Sequence, residues 1–198
     1  MTKSKQINIA KEILTVLKIA DPNSVLAGGA VRDWRILDIA GRDLDFYTSL
    51  PAHRSEEQIQ DLIASALMGT NIRKLGNKEA SDNYEGVTGL KHVFEFERDG
   101  QLCNLMIMDP NVMTTFLNEF DLSICQAAFD GKDCYYSKDF ETTLETGICF
   151  LHKDVREDAK HVIKIATRFP YLRFVKEVKV PRPPQVDTKS EEEDDIPW

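Results

Sequence analysis

Leu26-Ala-Gly-Gly-Ala-Val-Arg-Asp-Trp-Arg-Ile-Leu-Asp-Ile-Ala-Gly-Arg-Asp-Leu-Asp-Phe-Tyr47 is the stretch on which the reading of this chain turns. Val25-Leu26-Ala27 reads as a short buried strand that runs into Gly28-Gly29, after which residues 30–37 can turn helical. Two glycines between a strand and a helix let the backbone approach a ligand closely, with N–H groups exposed at the helix start, where a phosphate group is favoured. Asp43 and Asp45 are separated by one residue at the start of a second strand, Leu44–Thr48, so both carboxylates project from one face. A lone Gly-Gly or a lone Asp-x-Asp is common. Together, at this spacing, they describe a phosphate-binding turn beside a site for Mg2+ or Mn2+.

Working outward, Ile9, Ile13, Leu14 and Leu17 recur at helical spacing, which predicts an amphipathic helix over residues 5–20 ended by Asp21-Pro22-Asn23. Ser55 caps a second predicted helix that runs to Met68, with Glu56 and Glu57 in its first turn. Asp99-Gly100 separates Val93–Arg98 from Gln101–Met108 and predicts a hairpin in which Arg98 faces Gln101 and Glu95 faces Asn104. Asp109-Pro110 predicts a helix running to about Glu119. A further hairpin over 124–129 and 134–136, and helices near 138–145 and 154–168, complete an α+β domain of strands that pair locally under packed helices.

This pattern resembles the head domain of the DNA polymerase β-type nucleotidyltransferases, in the branch of poly(A) polymerases and CCA-adding enzymes. The match lies in Gly28-Gly29-Ala30-Val31-Arg32-Asp33 followed by Arg42-Asp43-Leu44-Asp45, and more loosely in Phe120-Asp121-Leu-Ser-Ile-Cys-Gln-Ala127. The resemblance covers roughly residues 24–130. It implies a mixed sheet with flanking helices, a nucleoside triphosphate held by Gly28 and Gly29, and catalytic metals on Asp43 and Asp45. It further implies that Arg32, Asp33 and Arg42 organise the pocket and that Asp121 contacts the nucleotide, although Asn118, Glu119 and Phe120 stand where the family has arginines before that acid. The family's third carboxylate corresponds to Asn104, which cannot act as a base. Glu95, about 5 Å across the predicted hairpin, either substitutes for it or is a solvated residue of an exposed face.

The activity implied is transfer of a nucleotide to a hydroxyl acceptor, with RNA or single-stranded DNA as macromolecular partner. The alternative is a catalytically weakened module that binds single-stranded nucleic acid.

The net charge of −8 hides an asymmetry, since residues 152–182 carry a local +5 and residues 187–198 a local −5. The basic segment is either a phosphate-binding strip or a solvated helix face. Pro181-Arg182-Pro183-Pro184 reads as a stiff linker, which divides the chain into a domain over 1–180 and an acidic tail over 181–198 that cannot bury enough apolar surface to order itself. Its end, Asp194-Asp195-Ile196-Pro197-Trp198, resembles the tip of bacterial single-stranded-DNA-binding proteins. That resemblance implies docking on replication or repair proteins, and a compact head domain combined with such a tail resembles a bacteriophage gene product; a merely solubilising tail is the other reading.

Four cysteines without a C-x-x-C pair predict free thiols, and His53, His92, His152 and His161, which lack metal-ligand spacing, are expected to be ordinary loop or helix residues. No apolar signal core or membrane-length span stands in the sequence, so a cytoplasmic location is expected.

Overall fold

The computed structural model describes residues 1–50, 54–84, 87–113, 115–151 and 159–176. The expectations for His53, His152, the linker and the Asp194–Trp198 tip lie outside these residues.

Helix α1 spans Lys3–Ala20 and buries Gln6, Ile9, Ala10, Ile13, Leu14 and Leu17 along one stripe. Strand β1 (Val25–Ala27) leads into α2 (Gly29–Ile36), and β2 covers Asp43–Thr48. Helix α3 (Glu56–Ser65) opens on a reciprocal capping box between Ser55 and Gln58. Two elements not expected from the sequence follow, β3 (Thr70–Lys74) and α4 (Asn77–Asn83). The predicted hairpin is β4 (Leu90–Arg98) and β5 (Gln101–Met108), in the expected register of Arg98 opposite Gln101 and Glu95 opposite Asn104.

The helix expected over 109–119 does not form. Asp109 caps Asn111 as its position predicts, but only short 3-10 turns follow, at Pro110–Val112 and Phe116–Glu119. Phe116 and Phe120 pack against Tyr47, with ring centroids 4.7 and 5.7 Å away. A 3-10 turn at Ser123–Cys125 precedes the paired strands β6 (Ala127–Phe129) and β7 (Cys134–Tyr136). Helix α5 (Lys138–Thr146), β8 (Ile148–Leu151), α6 (Lys160–Arg168) and β9 (Arg173–Lys176) complete the described chain, with β8 and β9 forming a small parallel pair.

Seven strands form one mixed sheet in the order β3-β4-β5-β2-β1-β6-β7. Only the β2–β5 contact within it is parallel. This contact places the two strands that carry polar site residues side by side at the centre of the sheet. On β2, Leu44 and Phe46 are buried and contribute to the core, while Asp43 and Asp45 alternate to the opposite face. All four cysteines are free, and three of them, Cys103, Cys125 and Cys149, are buried. Among the described residues no helix is long and apolar enough to cross a membrane.

Candidate active site

Gly28 sits before α2 with φ +85° and ψ −131°, a conformation that strongly favours glycine. Its N–H is not free as expected, because it donates to the Ala127 carbonyl at 2.8 Å and ties the turn to β6. No side chain caps the helix at this end, and the N–H groups of its first turn, beginning with Gly29, have no acceptor within the helix. Leu26 pairs with Phe46, so extending the antiparallel register carries the Gly28-Gly29 turn to the end of β2 that holds Asp43 and Asp45.

The carboxylates have unlike surroundings. Asp43 Oδ2 accepts from Arg42 Nε and a terminal guanidinium nitrogen at 3.0 and 2.6 Å. Asp45 Oδ1 accepts from Asn104 Nδ2 at 2.9 Å, and the Tyr84 hydroxyl lies 3.5 Å from the same oxygen. Burial and the charge of Asp43 push Asp45 up to about 7, against the opposing influence of Asn104, Arg42 and Lys164 on α6. Burial, then Asp45 and Asp43, hold the Tyr84 phenol well above its usual range, so this side chain stays a hydrogen-bond donor.

Register places Asp45, Asn104, Glu95 and Arg73 in one row across β2, β5, β4 and β3. Glu95 is thus beside Asn104, as the sequence predicts, with its carboxylate ion-paired to Arg73 at 2.9 Å; Arg73 also holds Glu79 at 2.9 Å. Among the described residues no three His, Cys, Asp or Glu side chains gather as a metal cage. The oxygen donors available there include Asp43, Asp45 and Asn104, whose Oδ1 is buried without a hydrogen-bond partner among the described residues. Two carboxylates and an orphaned amide oxygen suit a hard cation that takes its remaining ligands from water and phosphate, as Mg2+ does.

Arg32 and Asp33 lie in a buried cluster behind the turn. Arg32 donates to Asp33 at 2.9 Å and to Cys125 Sγ at 3.3 Å, and stands over the Phe169 ring at 5.2 Å. Arg168 reaches the other Asp33 oxygen at 2.7 Å, locking α2 to α6. After it, Phe169 is buried, while Arg168 itself and Tyr171 are exposed.

His161 is a helix residue, on α6, and its imidazole makes a pairing that its spacing did not predict. Its Nδ1 lies 2.6 Å from Asp121 Oδ2, and its Nε2 is 3.9 Å from Cys125 Sγ. Burial lowers the imidazole, but Asp121 and Cys125 outweigh it and raise the group to about 10, so His161 is a cation at neutral pH. Sequence spacing gave no signal for this pair, nor for Tyr84 or Lys164, because each meets its partner across a long stretch of chain.

No family model matches the chain, and no match emerges among curated proteins. Solved structures are similar in fold. A tRNA-processing enzyme in an apo form superposes with TM-score 0.54 at 15% identity, over 85% of this chain and 43% of that one. A CCA-adding enzyme in complex with ATP gives TM-score 0.53 at 15% identity, over 88% and 43%. A tRNA nucleotidyltransferase with a primer tRNA and an incoming ATP analog gives 0.51 at 14%, over 77% and 43%. The chain thus spans less than half the length of each. Its α+β fold is the one it shares with CCA-adding and tRNA nucleotidyltransferase structures.

Proposed function

We propose that the protein is a divalent-metal-dependent nucleotidyltransferase that transfers a nucleotide from a nucleoside triphosphate to a hydroxyl, with an RNA 3′ end as the acceptor class. The observation that carries this reading is the Asp43–Asp45 pair on one face of β2, at the strand end that the Gly28-Gly29 turn of β1 also reaches. The fold shared with nucleotidyltransferase structures supports it.

In this reading Asp43 and Asp45 hold Mg2+ or Mn2+, which would supply charge neutralisation for the triphosphate and acidity for the attacking hydroxyl. Arg42 fixes Asp43, and Asn104 orients Asp45. Gly28 gives the turn its shape, and Gly29 with the first turn of α2 offers N–H groups to phosphate oxygens. Arg32 and Asp33 brace α2 against α6, and His161, made cationic by Asp121, adds positive charge on the α6 side. Glu95 serves as base only by releasing Arg73, so a Glu95→Gln variant with unchanged turnover removes it from the reaction.

A second reading has one observation in its favour. Asn104 in place of a third carboxylate makes the site weaker as a catalyst, and the scaffold would then bind single-stranded nucleic acid while Asp194–Trp198 recruit replication or repair proteins. Titration of ATP by calorimetry, with and without Mg2+, tests the first reading. Binding that strengthens with Mg2+ and is lost in Asp45→Asn is expected; metal-independent binding of the same affinity in both proteins overturns it.

A further inference from the structure

Helix α1 lies far in sequence from the carboxylates, yet one of its side chains is fully buried and wholly polar. Gln6 uses every hydrogen-bonding position of its amide. Oε1 accepts from Trp34 Nε1 at 2.7 Å and from the Gly41 N–H at 2.8 Å. Nε2 donates to the Gly41 carbonyl at 2.9 Å and to Gln101 Oε1 at 2.9 Å. Gln101 continues the chain, donating to the Arg42 carbonyl at 3.1 Å and to the Leu102 carbonyl at 2.9 Å.

Two amides therefore stitch together three elements and fix the backbone of Gly41 and Arg42, the two residues before Asp43. Gly41 sits between α2 and β2, in irregular chain where no ladder holds it. Both of its backbone polar groups are satisfied by the single Gln6 amide. Gly41 is also pressed on α2 so closely that a Cβ there would stand 2.7 Å from Ala30 Cα. Trp34, on the helix that begins at the Gly28-Gly29 turn, shares the same Gln6 oxygen. One side chain thus sets the phosphate-facing helix and the entry to the carboxylate strand relative to each other.

We propose that Gln6 is a positioning residue for the Asp43–Asp45 cation site, acting through the Gly41-Arg42 backbone and through Gln101. The inference rests on the metal-binding reading given above. A nonspecific core role would be filled as well by an apolar side chain of the same length. A positioning role requires the amide, because only a paired donor and acceptor can hold both polar groups of one peptide segment while meeting Trp34 and Gln101.

The test is Mn2+ uptake by the full chain, followed by loss of the free-ion electron paramagnetic resonance signal, in the wild type, Gln6→Met, Asp43→Asn and Ile13→Val. Ile13→Val, a core change on the same helix, controls for lost stability. Gln6→Met is expected to weaken Mn2+ binding by about tenfold or more, the usual effect of losing a residue that orients a metal ligand, while Ile13→Val stays near wild type. Equal affinity of Gln6→Met and wild type overturns the inference and leaves the metal reading intact. Equal and negligible uptake by wild type and Asp43→Asn overturns the metal reading itself.

Should Gln6→Met not fold, hydrogen exchange in the wild type decides the question. Mg2+ is expected to slow exchange of the Gly41 amide, because a ligand that binds the ordered arrangement also stabilises it. An unchanged Gly41 rate in the presence of bound Mg2+ overturns the proposal.

Discussion

Asn104 Nδ2 donates to Asp45 Oδ1 across 2.9 Å, at the β5 position directly beside Asp45 in the parallel register, while its own Oδ1 is buried without a partner among the described residues. The amide does what a carboxylate could not do in a metal-free site: it places a donor, in place of a second negative charge, against Asp45. Asn104→Asp exchanges that donor for a buried like charge. It is expected to destabilise the metal-free protein by roughly 1–3 kcal/mol at neutral pH, with the loss reversed by Mg2+ or Mn2+. Thermal melts with and without the ions check this; a melting temperature equal to wild type in both conditions contradicts it.

Asp45 yields a prediction about pH. Its folded-state value is raised, first by burial and then by Asp43, to about 7. The folded protein therefore holds a proton that the unfolded chain has released, and metal-free stability falls as pH rises from the ordinary carboxylate range to about 7. Divalent-ion affinity is expected to rise over the same interval, because the ion competes with that proton. Denaturant titrations at several pH values should show the slope in wild type and its loss in Asp45→Asn.

His161 gives a slope of the same sign at higher pH. Its value is raised above that of the unfolded chain to about 10 by the pairing with Asp121, so its contribution is fully present below about 6.5 and is lost as pH rises through about 10. His161→Gln should therefore be less stable than wild type at neutral pH, with the difference shrinking toward pH 10. A difference independent of pH would show that the imidazole is held by packing alone.

Gly41→Ala is expected to cost about 1–3 kcal/mol, as overpacked substitutions do, because the added carbon meets backbone of α2 that cannot swing aside. Chemical denaturation measures it, and a variant as stable as wild type would show that the α2–β2 approach is loose.

The parts of this site that were legible in the sequence are local. Gly28-Gly29 and Asp43-x-Asp45 carry their conformational demands in adjacent residues. The Asp99-Gly100 turn, with both residues at positive φ, fixes the hairpin register that sets Glu95 beside Asn104. The parallel β2–β5 contact, which brings Asn104 to Asp45, joins strands 59 residues apart and has no turn to announce it. Strand β3 escaped because Thr70-Asn-Ile-Arg-Lys74 is a polar edge strand whose charges guard its open side and leave no apolar alternation to read. The expected helix over 109–119 was correctly capped at Asp109, yet two 3-10 turns stand in its place, with Phe116 and Phe120 packed against Tyr47. His161 found Asp121 across 40 residues and Gln6 found Gly41 across 35, distances at which spacing rules carry no information.

The most direct test of nucleotidyl transfer is incorporation of each labelled nucleoside triphosphate, with Mg2+ or Mn2+, into a mixed pool of RNA and single-stranded DNA, alongside Asp43→Ala and Asp45→Ala. The account predicts metal-dependent labelling of RNA 3′ ends by the wild type and none by either variant. Labelling that persists in both variants, or retention of the pool by the wild type without any incorporation, would contradict it.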